Sequence, residues 1–431
     1  MAKTSAGLKK PETTSGPAAA VSERDLPALR RRVTGVLVAG QVLGGLGVAT
    51  GIALAAVLAQ EIGGSAALSG LAPTAVVAGT ALGSAPLGAL MNRYGRRVGL
   101  VVAYLCGSVG AAIVVAAAAL DSFTLLLVGM AGFGAASAAN LQARFAAADL
   151  AVPERRGRAI AVVVWATTVG AVIGPNVSAP AGRSVTPLGL PAAAGPFLWA
   201  AVVFLVAAGV IGVLLRPDPL LTARALAPVE PAAESRNPRA ALIANAGSSR
   251  ARFALAALAV THTVMVAVMA MTPVHLAGHG AGIELIGLVI SGHVAGMYAF
   301  APVMGRLSDT LGPLPVIALG MALLAAAALL AGTAGPNHAQ SAAGLFVLGL
   351  GWSAGIVAGS ALLTDSVAEH ARASVQGLSD LVMSVVAGVG GALAGLVVAV
   401  GGYGALNLIS ACLLIPLAVA HAALVRRREG Q

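Results

Sequence analysis

The apolar residues of this chain fall into twelve runs, near 33–60, 68–91, 98–120, 123–147, 158–181, 194–215, 252–274, 284–307, 314–334, 341–364, 374–399 and 402–425. Each is about 20 residues or longer, enough to cross a ~30 Å hydrocarbon layer as a helix. Composition agrees, because 58% of the 431 residues are hydrophobic and only 10% are charged. A soluble surface needs roughly a quarter of its residues charged, and intrinsic disorder needs low hydrophobicity. The sequence therefore predicts an all-α integral membrane protein with twelve transmembrane helices.

Charge sets the orientation. The chain has 26 Lys and Arg against 16 Asp and Glu, a net charge of +10. In a soluble protein that balance would raise nucleic-acid binding, but here the basic residues sit between the apolar runs. With both termini cytoplasmic, every Lys and Arg except Arg183 falls on the inner side, Arg144 near the inner end of the fourth run included. A multi-pass protein of the inner or plasma membrane, with no nucleic-acid partner, is the expectation. Residues 1–29 are polar, rich in Pro, Ser and Thr, and read as a disordered cytoplasmic tail rather than a signal peptide. Residues 30–215 and 252–425 form two six-helix bundles, joined by a Pro/Ala-rich cytoplasmic linker over 216–251, and 426–431 is a second tail. Cys106 and Cys412 both lie in apolar runs, which excludes a disulfide scaffold. A self-contained bundle of this kind is expected to be a monomer.

The two halves share a loop. G-A-L-M-N-R-Y-G-R-R follows the second run, with Gly88, Asn92, Arg93, Gly95, Arg96 and Arg97, and G-R-L-S-D-T-L-G-P follows the eighth, with Asp309. A repeat at half-chain scale is a mark of duplicated transporters. Along its whole length the chain resembles the major facilitator superfamily, whose loop reads G-x-x-x-D-R-x-G-R-R, and only Asn92 departs from that pattern over 88–97. The resemblance implies a fold of two six-helix halves that carries solute by alternating access. It also implies that this loop holds the inward-closed interface, its acid capping a helix N-terminus and its arginines pairing with an acid. Asp149, at the inner end of the fourth run, is the expected partner of Arg93, Arg96 or Arg97. With Asn92 the charge is lost and a hydrogen-bond acceptor remains. Asp309 and Asp365 read as gate or cap residues at inner helix ends.

Gly170, Gly174 and Pro175 in the fifth run are similar to the G-x-x-x-G-P motif of the superfamily's antiporters. Small residues four apart equally suit a close helix crossing. The intramembrane arginine of the antiporters' fourth span is missing, since Val128 stands at that position.

Eight of the chain's 17 His and Met residues lie between His262 and Met297. Met265 with Met269, and His293 with Met297, are each four apart and so share a helix face. Thioether and imidazole together favour Cu(I) over harder cations. The two pairs and their flanks resemble bacterial copper importers of the superfamily that serve cytochrome oxidase assembly. By that resemblance Met265, Met269, His293 and Met297 are ligands for transported copper, with His275 and His279 at the entrance. Packing is the competing reading for the methionines, and the same group includes carriers of organic substrates such as riboflavin. Asp380 and His262 are the candidates for proton coupling. Two expectations follow: a secondary transporter importing copper(I), or a proton-coupled carrier or exporter of a small organic molecule. Neither needs a resident cofactor. No catalytic set lies outside the apolar runs, so an enzyme is not expected.

Overall fold

The computed structural model describes residues 25–64, 71–226, 248–281 and 283–429. Among these residues the regular structure is helical. It comprises α1 (Leu26–Gly63), α2 (Leu71–Tyr94), α3 (Arg96–Ala119), α4 (Phe123–Asp149), α5 (Arg156–Val185), α6 (Gly195–Leu214) and the short α7 (Pro219–Leu226). There follow α8 (Ser249–Gly278), α9 (Ile283–Tyr298), α10 (Ala301–Leu311), α11 (Pro313–Gly332), α12 (His338–Asp365), α13 (Arg372–Cys412) and α14 (Leu414–Glu429). Backbone groups in hydrocarbon must pair within their own segment, so long apolar runs have little choice but to become helices. Pro27, Pro196, Pro302 and Pro313 sit in the first turn of α1, α6, α10 and α11, where a missing N–H costs nothing. Ser122 and Asn337 cap α4 and α12 by accepting the backbone N–H of Leu125 and Gln340.

Eleven candidate spans are found among the described residues, and the last, Arg372–Arg426, is 55 residues long. It makes two passes. Gly402 takes φ 77°, outside the helical region, and the chain reverses there. A Cβ on Gly377 would fall 2.7 Å from the Ser84 carbonyl near one end of the bundle. Asn407 instead lies against Gly332 at the far end of α11, and His421 returns to the Leu314 carbonyl at its start. With α9 and α10 together making one crossing, the described residues make twelve passes.

Each half has its own core. In the first, Phe133, Phe197 and Phe204 pack ring to ring with Tyr104 beside them. In the second, Leu258, Leu324, Leu345 and Leu348 are fully buried. The halves touch through α2 against α13 and α5 against α10. The tightest of these contacts, Gly88 on Ala373 and Gly157 on Gly305, lie toward the end that carries Arg93, Arg96, Arg155 and Arg156, called the basic end below.

Two boundaries differ from the sequence expectation. The tail expected over 1–29 gives way to α1 by Leu26, and residues 1–24 lie outside the described residues. The linker expected over 216–251 begins as a helix, because Asp218 accepts the N–H groups of Leu220 and Leu221 and so nucleates α7. Residues 227–247 lie outside the described residues.

Gly170 and Gly174 lay α5 directly on α1. A Cβ on Gly170 would fall 2.5 Å from the Gly45 carbonyl carbon, and one on Gly174 2.6 Å from the Ala49 Cβ. Gly170→Ala is therefore expected to cost about 1–3 kcal/mol through overpacking, while Gly209→Ala, where the added carbon meets nothing, changes little. Thermal unfolding of the two variants in detergent measures the difference.

Candidate functional site

A cavity of ≈440 Å³ lies between the halves, about midway along the helices that line it. Both walls are largely apolar, with Val48, Val76, Val77 and Leu141 on one side and Val266 and Ile356 on the other, but their polar and aromatic side chains differ. The first half contributes Gln41 from α1, Thr80 from α2, Ser137, Asn140 and Arg144 from α4, and Thr167 from α5. The second half contributes His262 and Met265 from α8, Met297 and Tyr298 from α9, Trp352 from α12 and Ser384 from α13.

The polar wall is held by neighbours. Gln41 Nε2 donates to Thr167 Oγ1 at 2.8 Å, and the buried Gln41 Oε1 and Ser137 Oγ have no partner among the described residues. The Tyr104 hydroxyl lies 2.9 Å from Asn140 Oδ1 and turns that amide oxygen toward α3. On the aromatic wall, Trp352 Nε1 donates to His262 Nδ1 at 3.0 Å, so the neutral His262 carries its proton on Nε2. Tyr298 meets Trp352 edge to face, with ring centres 5.4 Å apart.

The floor of the cavity is charged. Arg144 Nη2 bonds Asp380 Oδ1 at 2.6 Å and Arg144 Nε bonds Ser360 Oγ at 3.1 Å. Gln142 donates to the other Asp380 oxygen at 3.0 Å and accepts from Arg96 Nη1 at 3.1 Å. Arg96 grips Asp149 with two nitrogens, at 2.7 and 3.2 Å, and also donates to Gln376, whose amide nitrogen donates to Thr364 at 3.1 Å. Arg96, Arg144, Asp149 and Asp380 are all buried. Arg96, Gln142, Arg144 and Asp149 belong to the first half; Ser360, Thr364, Gln376 and Asp380 belong to the second. The network thus ties the halves together directly beneath the cavity. Nearer the basic end, Arg156 pairs with Asp365, and Asp309 accepts the backbone N–H of Arg158, with the Arg158 side chain 3.8 Å away. There the backbones almost touch: a Cβ on Gly88 would fall 2.8 Å from the Ala373 carbonyl, and one on Gly157 2.8 Å from that of Gly305. The molecule is closed at its basic end.

Of the three arginines in the repeated loop, Arg96 takes Asp149. Arg93 is exposed and lies over the Tyr94 ring, and the backbone N–H of Arg97 donates to Asp218 at 2.7 Å. Asn92 is bonded by Arg224 of α7, through its carbonyl and through Oδ1 at 2.5 Å. Its acceptor therefore serves the linker helix. Gly95, with φ 93°, makes the turn into α3 and leaves space for the Asp218 carboxylate. Pro175 lies within α5.

The four soft ligands do not all meet. Met265 and Met297 line the cavity, whereas Met269 packs against the core of the second half. His293 is fully buried, and its Nδ1 lies 2.8 Å from the Leu345 carbonyl. It is not among the lining residues, and its buried Nε2 has no partner among the described residues. No group of three His, Cys, Asp or Glu able to hold a metal occurs among the described residues. His275 is stacked on Tyr403 at 4.3 Å and sits beside His279 at the end away from the basic end.

Sequence reasoning missed Arg144, which was counted with the inner loops. It stands five residues before Asp149, about 7.5 Å deeper along the helix, and that offset was the available signal. Trp352 and Tyr298 were lost among apolar neighbours.

Two bundles of six crossings, closed at one end around a shared central cavity, define a membrane carrier of the alternating-access type. The pattern of the Major Facilitator Superfamily matches residues 37–285 and 253–431, and the chain belongs to that superfamily of transporters. It is 37% identical over 399 residues to the uncharacterized MFS-type transporter YdeG of Bacillus subtilis (strain 168), covering 91% of this chain and 92% of that protein. It is 31% identical over 303 residues to the riboflavin transporter RfnT of Brucella anthropi, covering 68% of this chain and 70% of that one. The human organic anion transporter MFSD10 (TETRAN) shares the fold, with TM-score 0.73 and 18% identity over 91% of this chain and 99% of that structure.

Removing one partner from a buried ion pair strands the other charge. Asp380→Ala is therefore expected to cost about 3–5 kcal/mol. The double variant Arg144→Met/Asp380→Ala should recover much of that loss, as a double-mutant cycle of thermal unfolding in detergent would show.

Proposed function

We propose that this protein is a secondary transporter of the plasma membrane that carries a small organic solute with a planar ring and a polar or hydroxylated end. The two-faced cavity carries this reading. Trp352, Tyr298 and His262 offer ring faces and edges on one side, while Gln41, Ser137, Asn140 and Thr167 offer hydrogen bonds on the other. An aromatic wall opposite a band of amides and hydroxyls suits a flavin-like molecule, the chemistry named for the 31%-identical relative.

Alternating access follows from the geometry beneath the cavity. For the basic end to open, α4 must part from α13, and the Arg144–Asp380 and Arg96–Gln376 bonds must break. Protonation of Asp380 would remove one of those bonds, so Asp380 is the residue through which a proton gradient would act. The lopsided distribution of arginines supports a cytoplasmic basic end. Copper(I) is the weaker reading, because only Met265 and Met297 of its four expected ligands reach the cavity.

Riboflavin uptake into proteoliposomes, with flavin fluorescence quenching as the binding readout, tests the proposal. Trp352→Ala is expected to weaken binding at least tenfold, and Asp380→Asn to make uptake insensitive to a pH gradient. Copper accumulation should be the same with Met265→Leu as with the parent. Failure to bind riboflavin or any planar analogue, together with copper uptake that Met265→Leu abolishes, would reverse the order of the two readings.

A further inference from the structure

A second cavity of ≈700 Å³ lies at the basic end, away from the cargo site, between α1 and α5 with the end of α4 behind it. Its lining changes character with depth. At the mouth stand Arg30 and Arg31 from α1, Arg155 from the turn before α5 and Arg158 from α5, and among the described residues no carboxylate lines it. One to two helical turns further in, the walls are Gly35, Val38 and Val162. From Arg31 to Val38 the groove runs about 10 Å along the helix. Gly35 is exposed, and a Cβ placed there would meet nothing, so the groove is open at the level of its apolar walls. Trp165, three residues beyond Val162 on α5, is 42% exposed, which marks this side of the helix as one that faces hydrocarbon.

Two of the four arginines are already engaged. Arg30 Nε donates to the Leu150 carbonyl at 2.7 Å, and Arg158 reaches Asp309. Arg31 and Arg155 are exposed and have no ion pair among the described residues. A guanidinium cluster at a helix end above a slot of small and branched apolar residues fits a ligand with an anionic head and a hydrocarbon tail.

We propose that this groove binds an anionic phospholipid, its phosphate among Arg30, Arg31, Arg155 and Arg158 and one acyl chain along Gly35, Val38 and Val162. The chain's own residues 1–24 are a poorer occupant, because they carry Lys3, Lys9, Lys10 and Arg24 against Glu12 and Glu23 and would bring positive charge to positive charge. Arg158 belongs both to the groove and to the contact with Asp309. A lipid phosphate here therefore sits next to the seal between the halves.

The test uses the full chain purified in detergent and needs no knowledge of the cargo. Palmitoyl-oleoyl phosphatidylglycerol, the matching phosphatidylcholine and glycerol 3-phosphate are added separately, and lipid adducts are read by native mass spectrometry alongside the unfolding temperature. Phosphatidylglycerol should form discrete adducts and raise the unfolding temperature by several degrees, with phosphatidylcholine and glycerol 3-phosphate doing neither. Arg31→Gln/Arg155→Gln should cut phosphatidylglycerol occupancy about fivefold or more. Gly35→Leu, which fills the slot and leaves every charge in place, should do the same. Equal occupancy by the two lipids, or full phosphatidylglycerol binding in either variant, would overturn the proposal. So would a temperature rise from glycerol 3-phosphate equal to that from the lipid, since the site would then hold a free anion. Adducts that form only after residues 1–24 are deleted would make the tail the occupant instead.

Discussion

Two buried ion pairs, Arg96–Asp149 and Arg144–Asp380, lie where the two six-helix halves meet, and much of the structure is arranged around them. Charges taken out of water are tolerated only when paired and bonded on most sides, and these are. Gln142 bridges the two pairs by donating to one carboxylate and accepting from one guanidinium. Gln376 extends the network to Thr364. Close backbone crossings, Gly88 on α13 and Gly157 on α10, bring the halves near enough for these side chains to reach. The seal is strong because several such bonds act together. It is also reversible, because the polar links between the halves are hydrogen bonds and ion pairs that water or a proton can replace.

The division of labour between the halves is equally physical. The first half places most of the amides and hydroxyls and the guanidinium on the cavity, among apolar residues such as Val76 and Leu141, and the second places the rings and thioethers there. A solute spanning both walls touches each half with a different part of itself. Its two ends need not part from the protein together as the bundles rock.

Much of the architecture could be read directly from residue order. Runs of about 20 apolar residues allow nothing but helices in lipid, and the doubled loop at 88–97 and 305–313 points to the duplication. The site was harder. Arg144 looked like one more inner arginine because a count of positive charge registers side of the membrane and not depth. Met269 and Met265 share a helix face by spacing, yet Met265 reaches the cavity while Met269 packs into the core. A face of a helix is wide enough to serve both. His293 looked like a ligand, but its Nδ1 faces the Leu345 carbonyl of the neighbouring α12, and a partner 52 residues away leaves no local trace. Asn92 marked a lost charge, and only the fold shows that Arg224, far along the chain, uses the oxygen that remains.

The short helix α7 grips the loop between α2 and α3 from two sides. Asp218 holds the Arg97 N–H, and Arg224 holds Asn92. Both anchors precede residue 227, so they belong to the first bundle by covalent attachment as well as by contact. A polypeptide severed anywhere within 227–247 would keep this brace intact. The two bundles, made as separate fragments, would have to find each other through the buried charges and the close helix crossings around them.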